Sequence, residues 1–236
     1  MTDERSLLAP LALLRLKSWL SPALPIGAYS HSHGMEWAVQ AGDIHDCGTL
    51  IDWLAADLRF GSGRNEAILF AGTWRCVLRN DRARLCEIAQ LAAALRGTAK
   101  LALESSQQAV ACLATLRRMW PDPILDWLAD MLREREITPA LPIVLAARAA
   151  RERIPLGVVL SGYLQSYAEN LVTAGVQLIP LGQTDGQLAM AALERTVLAA
   201  TTEALQASID DLGSCAFRVD LASTAHETQY TRSFRP

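Results

Sequence analysis

Residues 155–182 read PLGVVLSGYLQSYAENLVTAGVQLIPLG, and this segment decides the fold. Leu156, Leu160, Tyr163, Tyr167, Leu171, Ala174 and Leu178 recur at steps of four and three. That spacing lines one face of an α-helix, whereas a strand would alternate. Pro180-Leu181-Gly182 stops the run, because proline cannot continue a helix and glycine relaxes its end. Thr184-Asp185-Gly186-Gln187 then has capping-box spacing, with the threonine reaching Gln187 N–H and the glutamine reaching back. Leu198, Leu205, Ile209 and Leu212 extend the apolar face of this next helix toward Gly213.

Helix signals continue toward the N-terminus. Leu11, Leu14 and Trp19 fall in a short first helix ahead of Ser21-Pro22. Asp46 is placed to cap a helix carrying Leu50, Trp53, Leu54 and Leu58, which Gly61-Ser62-Gly63 ends. A helical pair joined at Asn80 follows, over 65–79 and 81–95, and Thr98 opens another helix that runs to about Met119. Asp122-Pro123 and Thr138-Pro139 each set a capping side chain before a proline at the first helical position. No alternating strand pattern, repeat or low-complexity linker interrupts this order.

The expected fold is therefore all-α, a single bundle of about ten helices over residues 1–216. The stretch from Phe217 to Pro236 is polar and aperiodic and carries Arg218, Arg232 and Arg235. Its composition buries too little apolar surface to order itself, which predicts a flexible tail that folds on a partner.

Composition agrees and removes several function classes. Of the 236 residues, 51% are hydrophobic while 6% are aromatic, the balance of Ala- and Leu-rich packed helices. A net charge of −3 lacks the basic excess of a nucleic-acid binder. Five cysteines (Cys47, Cys76, Cys86, Cys112, Cys215) are scattered without a C-x-x-C pair and read as buried, reduced thiols of a cytoplasmic protein. Asp3 and Glu4 sit where a signal peptide would be positive, and no apolar run is long enough to span a membrane.

Chemistry is sparse. The four histidines His31, His33, His45 and His226 show no metal-ligand spacing. On a helix His31 and His33 point apart; in a turn they can share a metal, contact a partner or cap a helix. No nucleophile elbow or phosphate loop is present, and Glu36 reads either as a general base or as a surface ion pair or cap. No catalytic group, cofactor or stable metal site is expected.

What stands out is Ser21-Pro-Ala-Leu-Pro-Ile-Gly-Ala-Tyr-Ser30. Pro22 and Pro25 fix φ, and Gly27 admits conformations other residues avoid. Such a loop is stiff and costs little entropy to dock, so it serves either as a recognition surface or as a structured link between helices. Ser30 or Ser32 can cap the helix carrying Gly34, Glu36 and Trp37, and Gly34 lets another backbone approach closely.

The run SPALPIGAYSHSHGMEWAV (Ser21 to Val39) resembles the N-terminal signature of the F-class urease accessory proteins. NLVTAGVQLIPLGQTDGQ (Asn170 to Gln187) resembles that family's second signature, and HETQYTRSFRP (His226 to Pro236) its C-terminal end. The resemblance implies an all-α homodimer that is itself no enzyme. It would join a D-class (or H-class) accessory scaffold protein to the G-class accessory GTPase, so that nickel reaches apo-urease. Direct regulation of that GTPase, or a nickel-carrier role, is the alternative. By match to the signatures the partner-binding positions are Pro22, Pro25, Gly27, Ser30, Gly34 and Glu36, then Gln183, Asp185 and Gly186, then Tyr230, Arg232, Phe234 and Arg235. The chain departs from the family pattern at Gln177, Ser233 and Pro236.

Overall fold

The long helix expected after Pro155 is the wall on which the other elements lean. A computed structural model describes residues 10–26, 34–95 and 99–226 of the chain. In order, α1 is Pro10–Trp19, α2 Met35–Gln40, α3 Cys47–Phe60, α4 Ser62–Arg79 and α5 Arg82–Ala94. Then come α6 Ala99–Met119, α7 Pro123–Glu134, α8 Leu141–Arg151, α9 Leu156–Leu178, α10 Gln183–Gln206 and α11 Phe217–His226. A 3-10 turn, Ile209–Asp211, precedes α11. There is no strand among the described residues, and no described helix is long and apolar enough to cross a membrane.

The stripe on α9 is buried at Leu160, Tyr163, Tyr167, Leu171 and Ala174 and half-buried at Leu156 and Leu178. It packs on α10, α4 and α3. Helix α4 lies at the centre, touching α3, α5, α8, α9 and α10. Helix α8 buries every residue from Pro142 to Ala150, all of them apolar except Arg148. Gly175 keeps α9 close to α3: a methyl group there would sit 2.8 Å from both terminal carbons of Leu50.

Caps explain most of the boundaries. The Asp46 carboxylate accepts Thr49 N–H at 2.8 Å while the Thr49 hydroxyl accepts Asp46 N–H at 3.0 Å, closing a full capping box on α3. Asn80 turns the chain between α4 and α5 in the left-handed region (φ 55°). Asp122 caps α7 through Ile124 N–H at 2.9 Å, with Pro123 in the first turn.

Several boundaries differ from the sequence reading. Helix α4 already begins at Ser62, so Ser62-Gly63 opens α4 instead of ending α3, and Asn65 lies inside it. Helix α8 starts at Leu141 with Pro142 in its first turn, so Thr138-Pro139 lies outside it. Each proline suits a first turn, and the buried run from Pro142 onward selects the second. Helix α10 begins one residue before Thr184, and the Asp185 carboxylate accepts Gly182 N–H at 2.9 Å, in place of a Thr184–Gln187 box. Its C-terminus is Gln206, so Ile209 and Leu212 fall beyond it and Leu198 faces solvent at 59% exposure. The buried side is instead made by Leu193 and Val197 with Ala189, Ala200 and Ala204, whose small side chains let α3 and α9 approach.

The polar stretch beginning at Phe217 is helical as far as His226, which moves the start of any tail past that residue. Its composition hid the helix because only Val219, Ala222, Ser223 and His226 are buried, while Phe217 and Leu221 point outward. Such a pattern has almost no apolar period to read.

The exposed Asp46 carries the pH dependence of the α3 start. Hydrogen bonds from the Thr49 N–H and hydroxyl hold its carboxyl below the usual aspartate value. A depressed folded value means stabilisation that is complete above about pH 4 and is lost as pH falls through the folded value. In urea titrations, Asp46→Asn should be less stable than the unmodified chain at pH 7, and the gap should narrow at pH 3. A gap that stays constant would remove this carboxylate from the pH response.

Candidate partner-binding site

The first signature begins in the link after α1. Ser21 Oγ accepts Ala23 N–H at 3.1 Å and Ser21 O accepts Leu24 N–H at 2.9 Å, forming a tight turn. Leu24 plugs into the core while Pro22 and Pro25 stay exposed, so the turn is anchored from below and shows its prolines to solvent. The expected positions Gly27 and Ser30, with His31, Ser32 and His33, lie outside the described residues.

The link is held by α1, and α1 by charge. Arg15 and the buried Arg148 of α8 both donate to Oε1 of Glu152. Arg148 also lies 5.3 Å from the Trp19 ring centroid and 4.0 Å from Asp122, whose carboxylate pairs with Arg151 at 3.2 Å. Trp19, 2% exposed, meets Trp120 edge-on at 6.1 Å.

The signature resumes at Gly34, the capping position of α2, in the left-handed region at φ 84°. The capping position is Gly34 itself, which has no side chain to offer, and Ser30 and Ser32, expected to cap this helix, lie outside the described residues. The expectation of a close backbone approach is met: a methyl group on Gly34 would fall 2.8 Å from both Cα and N of Ser223 in α11. Glu36 is not at the surface, which corrects its reading as a surface ion pair. It is 5% exposed, and its Oε2 lies 3.5 Å from Nε2 of His226, itself 2% exposed. A buried carboxylate needs a partner, and the end of α11 supplies one. Arg218, at the start of α11, pairs with Asp43 just after α2.

Beneath α11 lies a small cleft bounded by Met35, Trp53, Leu54, Asp57, Leu171 and Val219. Asp57, 4% exposed, accepts Ser62 N–H at 2.9 Å and the Tyr167 hydroxyl at 2.7 Å. Burial first, then the Asp57 and Glu66 carboxylates, pushes the Tyr167 phenol well above its ordinary value and keeps it a donor. Tyr163, one turn earlier on α9, donates to Glu66.

The second signature forms a separate corner at the α9–α10 turn. Gln183 is exposed, Asp185 caps α10, and Gly186 is buried, with room for a methyl only 3.1 Å from Val176. Cys47 at the start of α3 donates its thiol to Asp185 O at 3.6 Å, tying this corner to the chain that leads from α2. Among the described residues no group of three or more His, Cys, Asp or Glu side chains is arranged to hold a metal ion. Tyr230, Arg232, Phe234 and Arg235 lie outside the described residues. Of the cysteines expected to be buried, Cys76, Cys86 and Cys112 are, Cys47 is half-buried, and Cys215 is exposed in the link to α11.

Sequence reasoning located Gly34 and Glu36 but missed the residues they meet. His226 was read as the first residue of a tail motif, and Asp43, Asp57 and Arg218 carried no motif. The available signal was the charge pattern: Glu36 stands between Met35 and Trp37 in an apolar turn, where a lone carboxylate calls for a cation or donor.

Comparisons with known proteins cover nearly the whole chain. The family model UreF matches residues 44–194. The urease accessory protein UreF of Rhodopseudomonas palustris (strain TIE-1) is 46% identical over 224 residues, 95% of this chain and 92% of that protein. The protein of the same name from Granulibacter bethesdensis is 44% identical, over 95% of this chain and 94% of its own length. That of Bradyrhizobium sp. (strain BTAi1) is 43% identical, over 95% and 92%.

Proposed function

Since the chain belongs to the UreF family of urease accessory proteins, maturation factors rather than enzymes, we propose that it is an adaptor in nickel-urease assembly. It joins the D-class (or H-class) scaffold to the G-class GTPase, works as a homodimer in the cytoplasm, and thereby lets nickel enter apo-urease. The observation that carries this reading is similarity to a urease accessory protein UreF, at 46% identity over 95% of the chain.

The geometry divides the proposed contact positions by role. Pro22, Pro25 and Gln183 are exposed and are available to touch a partner. Gly34, Glu36 and Gly186 are buried and act from beneath, setting the shape of the surface. The residues from Tyr230 onward provide two aromatic rings and two arginines, the side-chain types that dominate binding energy at interfaces.

Removing Tyr230 to Pro236 should weaken capture of the scaffold protein in a pull-down at least tenfold while leaving the helical circular-dichroism spectrum unchanged. Undiminished capture by the shortened chain would take this segment out of the mechanism.

A further inference from the structure

Helices α2 and α11 lie far apart in sequence yet are joined to each other more extensively than to any other element. Three contacts of different kinds make the junction. At one end Arg218 pairs with Asp43. In the middle, the Gly34 backbone lies so close to Ser223 and Ala222 that a methyl group would come within 2.8 and 3.1 Å of their backbone atoms. At the far end the Glu36–His226 pair closes at 3.5 Å with both side chains nearly sealed from water. The middle contact fixes how near the helices stand, and the last sets the energetic cost of separating them.

Neither helix is self-sufficient. Helix α2 has six residues and α11 has ten, both below the length at which an isolated helix is stable in water. If α11 leaves, Glu36 loses the His226 imidazole beside it and Met35 loses Val219 and Ser223, with which it lines the cleft. If α2 unwinds, His226 and the backbone at Ser223 lose their partners in turn. Each helix is thus the condition for the other.

We propose that α2 and α11 open and close as one cooperative clasp, with the buried Glu36–His226 pair as its pin, while α3, α4 and α9 stay folded. A ligand that engages either helix then stabilises both, which couples the first signature to the C-terminal helix through the fold itself. The clasp is a property of the chain alone and stands whether or not the adaptor reading holds.

Native-state hydrogen exchange on the full chain without any partner tests it, because local openings are read there amide by amide. In the unmodified protein the amides of residues 37–41 and 220–226 should report one opening constant and the same urea dependence. In His226→Ala both sets should exchange at least tenfold faster while α4 and α9 are unchanged. His226→Gln keeps an N–H donor facing Glu36 and should restore most of the protection in both. Gly34→Ala, which drives a methyl group into the α11 backbone, should quicken the same two helices. Loss of protection in α11 with α2 unaffected would overturn the clasp. Equal quickening in α9 would also overturn it, since that is loosening of the whole fold.

Discussion

Glu152→Ala should lower the stability of the protein by about 3–5 kcal/mol, the cost of stripping the partner from a buried charge. Glu152 is the shared acceptor of Arg15 and Arg148, and the Arg148 side chain is only 5% exposed. With the carboxylate gone, the acid left beside Arg148 among the described residues is Asp122 at 4.0 Å, already engaged by Arg151. Arg15, at 26% exposure, reaches water and suffers less. The damage should appear in urea unfolding monitored by tryptophan fluorescence, because Trp19 and Trp120 meet beside this network. The double variant Arg148→Met with Glu152→Leu should recover most of the loss, as an apolar pair of similar volume often replaces a buried ion pair without penalty. A single variant within 1 kcal/mol of the unmodified chain would mean that the network is more hydrated than its burial implies.

Asp57→Ala should cost about 3 kcal/mol, for a different reason. Its two oxygens satisfy the Ser62 amide at 2.9 Å and the Tyr167 hydroxyl at 2.7 Å, and removing them leaves both donors without that acceptor in the interior. The Ser62 amide is the first of α4, so the loss falls at the elbow where α3 passes into α4 through Gly61. Asp57→Asn keeps one carbonyl acceptor and should lose about half as much. Thermal unfolding of the three proteins orders them, and an Asn variant as unstable as the Ala variant would show that the negative charge matters and the hydrogen bonds do not.

These effects also show what a sequence can reveal. The helix caps at Asp46, Asn80 and Asp122 were legible because each depends on a side chain reaching its own neighbourhood, a few residues away. The stripe on α9 was legible for the same reason, its spacing being the geometry of one helix. Glu36, Asp57 and Arg148 were not, since their partners lie on other helices and no local pattern names them. Helix α11 escaped because it has few inward residues and two outward apolar ones, Phe217 and Leu221. The approach at Gly34 was anticipated from glycine's freedom, but only the fold identifies Ser223 as the neighbour.

Cys215 follows the 3-10 turn, its N–H donating to Phe60 O at 2.9 Å, two residues ahead of α11. Its exposed side chain sets it apart from Cys76 and Cys112, whose thiols burial pushes up, that of Cys112 to about 12. At mildly alkaline pH a maleimide dye should therefore single out Cys215 among these thiols. The wild-type chain thus carries its own attachment point for a fluorophore at the root of its last helix, where release of α11 can be watched in real time without engineering a cysteine.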